Sequence, residues 1–251
     1  MISSRRNVLL GALGFLAACS APPNQGDRGS GTVVCICAHP DDAESGCGGT
    51  LIRLIRAGYH VKVIYTFAGG IPGKSGQIVV DTRREEARNA CRLMGADPIF
   101  LFDDRGYSKL DTPWIPELTA DLRQAQPEMV FAHWSMDSHP DHQIAAMLAF
   151  RCIQALDEEP DVYFFEVEHG RQTMAFTPSE YVDITSVRGD KLKALLAHES
   201  QDPMKLYKRD HEPMELFRGR EAGVTAAEAF IPLRAGSTRL AQALGRTSRP
   251  R

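Results

Sequence analysis

The stretch Thr32-Val33-Val34-Cys35-Ile36-Cys37-Ala38, followed at once by His39-Pro40-Asp41-Asp42, decides how the chain reads. A short apolar, β-branched run of this kind suits a strand buried on both faces. Cys35 and Cys37, two apart, share one face of that strand and read as small buried apolar residues. The polar cluster begins where the strand stops. Beyond it, Gly46 to Gly49 opens a helix that continues through Arg56. Leu51, Leu54 and Ile55 form its apolar face, and Gly58 is its stop.

The same alternation extends outward along the chain. Strands are expected at His60 to Phe67, Pro98 to Phe102, Met129 to Ala132 and Val162 to Val167, with a short one at Tyr181 to Ile184. Helices are expected at Asp81 to Leu93, Trp114 to Gln124, Asp141 to Leu156 and Val187 to His198. Gly69 to Gly76, with four glycines and a proline, is a loop that reads either as a lid or as a connector. Strands alternating with helices indicate an α/β fold: a mostly parallel sheet with helices on both faces, in a single domain. Ligands of such sheets bind beyond the carboxyl ends of the strands. His39 to Asp42 follows the first strand, and a second cluster, His139-Pro140-Asp141-His142, follows the fourth, so the two can meet on one edge.

Composition bounds the function. The chain has 251 residues, 43% hydrophobic and 24% charged, with a net charge of −3, which is ordinary for a soluble enzyme. No basic stripe is present, so nucleic acid is not an expected partner. Residues 1–19 read as a signal segment: Ser4-Arg5-Arg6-Asn7 is a twin-arginine start, and the apolar run Val8 to Ala18 is too short to span a bilayer. Leu16-Ala17-Ala18-Cys19 resembles a lipobox, which makes a lipid anchor at Cys19 the one expected membrane contact. Residues 20–31, rich in Pro, Gly, Ser and Asn, read as a flexible tether, and 32–251 as the enzyme domain. The expected address is the periplasm or cell envelope of a bacterium. Five cysteines remain, an odd and scattered set that does not form a disulfide framework. Nothing in the pattern fixes an oligomeric state.

The two polar clusters carry the chemistry. A catalytic zinc takes three nitrogen or oxygen ligands and keeps a position open for water, whereas a structural zinc takes a closed set of four. His39 and Asp42, three apart across a proline turn, can supply two ligands, and a histidine of the second cluster the third. Spacing does not choose between His139 and His142, and iron accepts the same two-His, one-carboxylate set. Asp41, adjacent to a ligand, is a candidate general base for a water whose pKa the metal lowers toward ~7. The remaining histidine can polarise a carbonyl or protonate a leaving amine, with Asp141 beside it to hold its tautomer.

Ala38-His39-Pro40-Asp41-Asp42-Ala43-Glu44, Gly46-Cys47-Gly48-Gly49-Thr50 and His139-Pro140-Asp141-His142 resemble the LmbE/PIG-L family of zinc-dependent N-acetylglucosaminyl deacetylases. The likeness extends through Thr82 to Arg88, Met94-Gly95, Ala197 to Gln201, Arg218 to Arg220 and Ala227 to Phe230, covering residues 32 to 233. It implies a Rossmann-like sandwich with His39, Asp42 and His142 as metal ligands and Asp41 as base. It also implies His139 as the acid and oxyanion-stabilising group, supported by Asp141. An arginine in the R-x-x-E helix would hold substrate; that falls on Arg83, with Glu86 its partner and Arg84 the competing register. Ala43 stands where some members run Asp-Asp-Glu directly, which leaves Glu44 without a fixed role.

The expected activity is removal of an N-acetyl group from an amino sugar or glycan. The alternatives are amidase cleavage of another acylated amine or thiol conjugate, and, in a different class, a non-catalytic metal-bearing lipoprotein that captures sugars. Among the other polar residues, His133 reads as structural or rim-lining. His198 reads either as closing the pocket or as satisfied by its helix dipole. Asp103-Asp104-Arg105 reads either as a sugar contact or as a solvated turn.

Overall fold

The computed structural model describes residues 31–71, 73–101, 114–167 and 172–245. Residues 1–30, where a signal segment with Cys19 and a tether are expected, and Asp103-Asp104-Arg105 and His169 lie outside the described residues. Strand β1 (Thr32–Cys37) sits at the centre of the sheet, parallel to β2 (His60–Tyr65) on one side and to β4 (Pro127–His133) on the other. With β3 (Asp97–Phe100), β5 (Asp161–Phe165), β6 (Glu180–Asp183) and β7 (Ala227–Pro232), the order across the sheet is β3-β2-β1-β4-β5-β7-β6. The first five strands in that order are parallel; β7 runs antiparallel to β5, and β6 antiparallel to β7.

The period-two pattern of β1 explains why both faces are covered. Val33, Cys35 and Cys37 enter one core, Val34, Ile36 and Ala38 the other, and all six are fully buried. On the first face the core takes Leu51 and Leu54 of α2 (Gly48–Arg56) and Ala87, Cys91 and Met94 of α3 (Gln77–Met94). On the second it takes Leu118 and Leu122 of α4 (Trp114–Ala125) and Leu148 and Ala149 of α5 (Pro140–Ile153). The expected α/β sandwich is the observed one.

Three differences from the sequence reading have physical causes. The helix expected from Gly46 is two helices, α1 (Asp42–Gly46) and α2, broken at Cys47, whose φ of −144° is not helical. Helix α3 begins at Gln77, earlier than its first charged residue suggests, because Val79 and Val80 are buried beneath its first turn. Beyond α6 (Arg188–Leu196) the chain is far from loop. A 3-10 turn (Glu199–Gln201), α7 (Pro203–Leu206), a π-helical turn (Tyr207–His211), α8 (Glu212–Ala222), β7 and α9 (Arg239–Leu244) follow. Helix α8 buries Glu215, Arg218, Gly219 and Ala222, so it carries no apolar stripe for a periodicity argument to find.

Candidate active site at the switch between β1 and β4

From β1 the chain works toward β3 on one side, and from β4 toward β5 on the other. That reversal leaves a crevice beyond the carboxyl ends of β1 and β4. The turn after β1 folds back on itself: the His39 N–H donates to Asp42 Oδ2 at 2.6 Å, and Asp41 takes φ 111° and ψ −24°. The two adjacent carboxylates therefore end on different partners, Asp42 on histidines and Asp41 on Arg83. Four residues after β4, Asp137 accepts the His139 N–H at 2.7 Å and sets the entry to α5, where His139 is the N-cap and Pro140 fits the first turn.

Two groups of ligand-type side chains meet here, His39–His139–Asp141 and the wholly buried His39–Asp42–His142. His39 Nδ1 lies 3.4 Å from Asp42 Oδ2, and His142 Nε2 lies 3.3 Å from Asp42 Oδ1. All three residues are buried, and ligand atoms from each lie within 4.8 Å of one another. Two imidazoles and a carboxylate this close together are the donor chemistry of a three-ligand zinc site. The field fits as well. Burial opposes charge on His142, yet Asp42 and Asp137 outweigh it and lift that imidazole to about 10. Burial would raise Asp42, but His142 and His133 hold it well below the usual carboxylate range. A cluster that draws a proton onto a buried imidazole is a cluster that favours a cation.

The second layer orients the first. His142 Nδ1 is 3.0 Å from Asp137 Oδ2, which leaves Nε2 facing Asp42. His39 Nε2 is 2.8 Å from Asp141 Oδ2. His133, buried behind the site, accepts the Ala38 N–H at Nε2 (3.0 Å) and stacks on His142 with centroids 4.2 Å apart. Burial, and then the charge on His142, push it down to about 4, so it is a neutral wall.

His139 belongs to the cleft and not to the donor set around Asp42. Its Nδ1 accepts the Asp141 N–H at 3.2 Å, which places the proton of the neutral ring on Nε2. Burial, followed by the charges on His39 and His142, lowers its pKa. The support expected from Asp141 thus reaches His139 through the main chain, while the carboxylate itself lies on His39. The helix N-cap geometry explains the split, because the N–H two residues past the cap points back at the cap side chain.

Asp41 is only partly exposed, and burial raises its carboxyl above the ordinary value despite the neighbouring Arg83 guanidinium. Arg83 lines the cleft, whereas Arg84 stands over the Phe100 ring at 5.9 Å. Glu86 accepts both the N–H and the hydroxyl of Ser200 at 2.7 Å, tying α3 to the 3-10 turn. Gly69, at φ 70°, passes so close that a Cβ would lie 3.1 Å from His39 Cδ2, and the Gly70 carbonyl accepts from Gln201 at 3.0 Å. This end of the glycine loop is a fitted wall of the cleft. His198 is fully buried, 3.4 Å from Glu44, which accepts from Tyr65 at 2.9 Å; neither reaches the cleft.

The cleft itself measures about 270 Å³, a small-molecule volume, and Gln172 and His211 also line it. His211, Asp137 and Gln172 are the residues that the sequence reading missed. Asp137, two residues ahead of a His-Pro-Asp-His cluster, offered a faint signal. His211 offered none, since the π-helical turn that presents it has no sequence pattern.

Comparison with known proteins adds the following. Residues 34–153 match the family described as PIG-L: GlcNAc-PI de-N-acetylase. Over 132 residues the chain is 30% identical to the uncharacterized deacetylase YaiS of Escherichia coli, covering 48% of this chain and 69% of that one. Over 247 residues it is 27% identical to the 4-oxalmesaconate hydratase of Pseudomonas putida, covering 86% and 93%. Among solved structures, the N,N'-diacetylchitobiose deacetylase of Pyrococcus horikoshii aligns with a TM-score of 0.67 at 27% identity, over 80% of this chain and 83% of that one.

Proposed function

The chain belongs to the PIG-L deacetylase family, and from that premise we propose that its cleft hydrolyses the N-acetyl group of an N-acetylglucosamine-type amino sugar, releasing acetate and a free amine. The observation that carries the reading is the placement of a raised carboxyl, Asp41, and a half-buried imidazole, His139, beside the His39–Asp42–His142 donor set. Zinc is the ion proposed for that set; when bound it supplies a Lewis acid for the acetyl carbonyl and lowers the pKa of a water it holds. Iron suits the same donors and is the alternative that metal analysis distinguishes.

The protein's own groups then divide the work. Asp41 accepts the proton of the attacking water at a carboxylate oxygen, a task that its raised pKa suits. His139 Nε2–H donates a hydrogen bond to the charge that develops on the acetyl oxygen, and the proton that Asp41 took from the water passes to the departing nitrogen. Asp141 steadies His39, and Asp137 fixes the His142 tautomer so that Nε2 points inward. The export signal read in residues 1–19 directs the choice of substrate toward envelope glycans, exopolysaccharide or scavenged chitin fragments.

A second reading has one observation in its favour, the 27% identity to a hydratase over 86% of the chain. The same base and acid could add water across a carbon–carbon double bond of an unsaturated acid. A single panel separates the two. Incubation with N-acetylglucosamine and N,N'-diacetylchitobiose should release acetate and a free amine; absence of acetate, with loss of the ultraviolet absorbance of added 4-oxalmesaconate, supports the hydratase.

A further inference from the structure

The His39 ring faces two ways. Its Nδ1 lies 3.4 Å from Asp42 Oδ2, on the side of the buried donor set, and its Nε2 lies 2.8 Å from Asp141 Oδ2 on the other. One imidazole therefore stands between two carboxylates. The Asp141 side holds a third group, because the His139 ring packs edge-on against His39 with centroids 4.8 Å apart. His39, His139 and Asp141 each bring one ligand atom within 4.8 Å of the others, as the residues of the buried set do. His139 Nδ1 accepts an N–H at 3.2 Å, so that nitrogen carries a lone pair and no proton. Two imidazoles and a carboxylate are again a three-ligand set of the kind zinc takes. The two sets differ in access: Asp42 and His142 are buried, whereas His139 and Asp141 are only partly so.

We propose that His39, His139 and Asp141 form a second, weaker zinc site at the mouth of the cleft, filled when zinc exceeds the one ion of the buried set, and that filling it stops the reaction by tying His139 to the ion. The outer ion forms one bond each to a His139 nitrogen, an Asp141 oxygen and His39 Nε2. When both sets are filled, the N–H bond at His39 Nε2 breaks and its proton goes to solvent. The ring then bridges the two ions as an imidazolate, and no electron is transferred. Two dications on one ring repel each other, and a proton must be lost, so the outer ion is the weaker. With its ring held to that ion, His139 is turned away from the acetyl oxygen. The inhibition rests on the deacetylase reading; the site itself does not.

The test is zinc binding to the full chain by equilibrium dialysis over a range of buffered zinc concentrations, with acetate release from N,N'-diacetylchitobiose measured at each. The unsubstituted chain should take up a second zinc at higher free zinc than the first, and acetate release should fall as that second ion binds. His139→Ser keeps an N-cap oxygen for α5 but offers no ligand nitrogen, and Asp141→Asn keeps the shape of the side chain without its charge. Each should weaken the second ion by about 100-fold, the upper scale for losing a group around a metal, and leave one zinc per chain. A chain that saturates at one zinc, or a second zinc that both variants retain, would overturn the site. A second zinc that fills without slowing acetate release would overturn its effect on the reaction. If no acetate appears at any zinc concentration, the deacetylase reading fails, and the stoichiometries of the three proteins still decide the site.

Discussion

At the scale of single residues, Asp41 joins a backbone cost to the proposed role of base. Its φ of 111° places a side chain where glycine is favoured, a conformation that costs of order 1–3 kcal/mol. Asp41→Gly and Asp41→Ala both remove the proposed base and the Arg83 contact, so the difference between them isolates the backbone. The glycine variant should be the more stable by about 1 kcal/mol in urea unfolding, with neither releasing acetate. His211 makes a second prediction. Burial, and then the Lys191 charge, push it down to about 4, against ~6.5 in an unfolded chain. Above pH 6.5 it is neutral in both states and subtracts nothing. As pH falls from 6.5 to 4 only the unfolded chain takes up the proton, so stability falls by roughly 3 kcal/mol through this group. His211→Gln should flatten that acid limb, which urea midpoints at pH 7 and pH 4.5 would show. The two polar runs that meet in the cleft were legible because each is short and stands beside a strand end. Asp137 and His211 were not, because what brings them to the cleft is a loop after β4 and a π-helical turn that no local pattern announces.

At the scale of elements, the site stands on a buried ionic joint. Helix α2 presents the Gly49 and Thr50 N–H groups to the Glu228 carboxylate of β7 at 2.8 and 2.7 Å. Lys191 of α6 pairs with the same carboxylate at 2.8 Å and with Glu215 of α8 at 3.0 Å. A Cβ at Gly49 would lie 2.6 Å from Ile184 Cγ2, so the approach is close because the residue is glycine. Removing Glu228 leaves two helix N–H groups and a buried ammonium with one fewer partner. Glu228→Ala should therefore cost about 3 kcal/mol in urea unfolding, while kcat of the folded fraction stays unchanged. This joint also explains which elements could be read in advance. Strands β1 and β4 and helices α2 to α6 declare themselves through apolar periodicity; α8 meets the rest through Glu215 and Arg218, and buried charge has no period.

At the scale of the whole molecule, sheet order does the assembling. Strands β1 and β4 are adjacent in the sheet although about 90 residues apart in sequence, and that adjacency brings His39, Asp42 and His142 together. Alternation of strands and helices gave the parallel half of the sheet, but not the antiparallel β7 and β6 edge, whose last strand reads in sequence as an isolated fragment. A metal that binds the folded donor set stabilises the whole fold by mass action, by about 2.7 kcal/mol at a hundredfold excess over its Kd. Chelation should therefore lower the thermal midpoint, and added zinc should restore it. The most direct measurement takes the purified full chain and its Asp41→Asn variant and determines bound metal together with acetate released from N,N'-diacetylchitobiose. The account predicts about one zinc per chain in both proteins, from one donor set, and acetate from the unsubstituted chain alone. Acetate release by Asp41→Asn at the unsubstituted rate, or turnover by a chain that binds no metal, would contradict it.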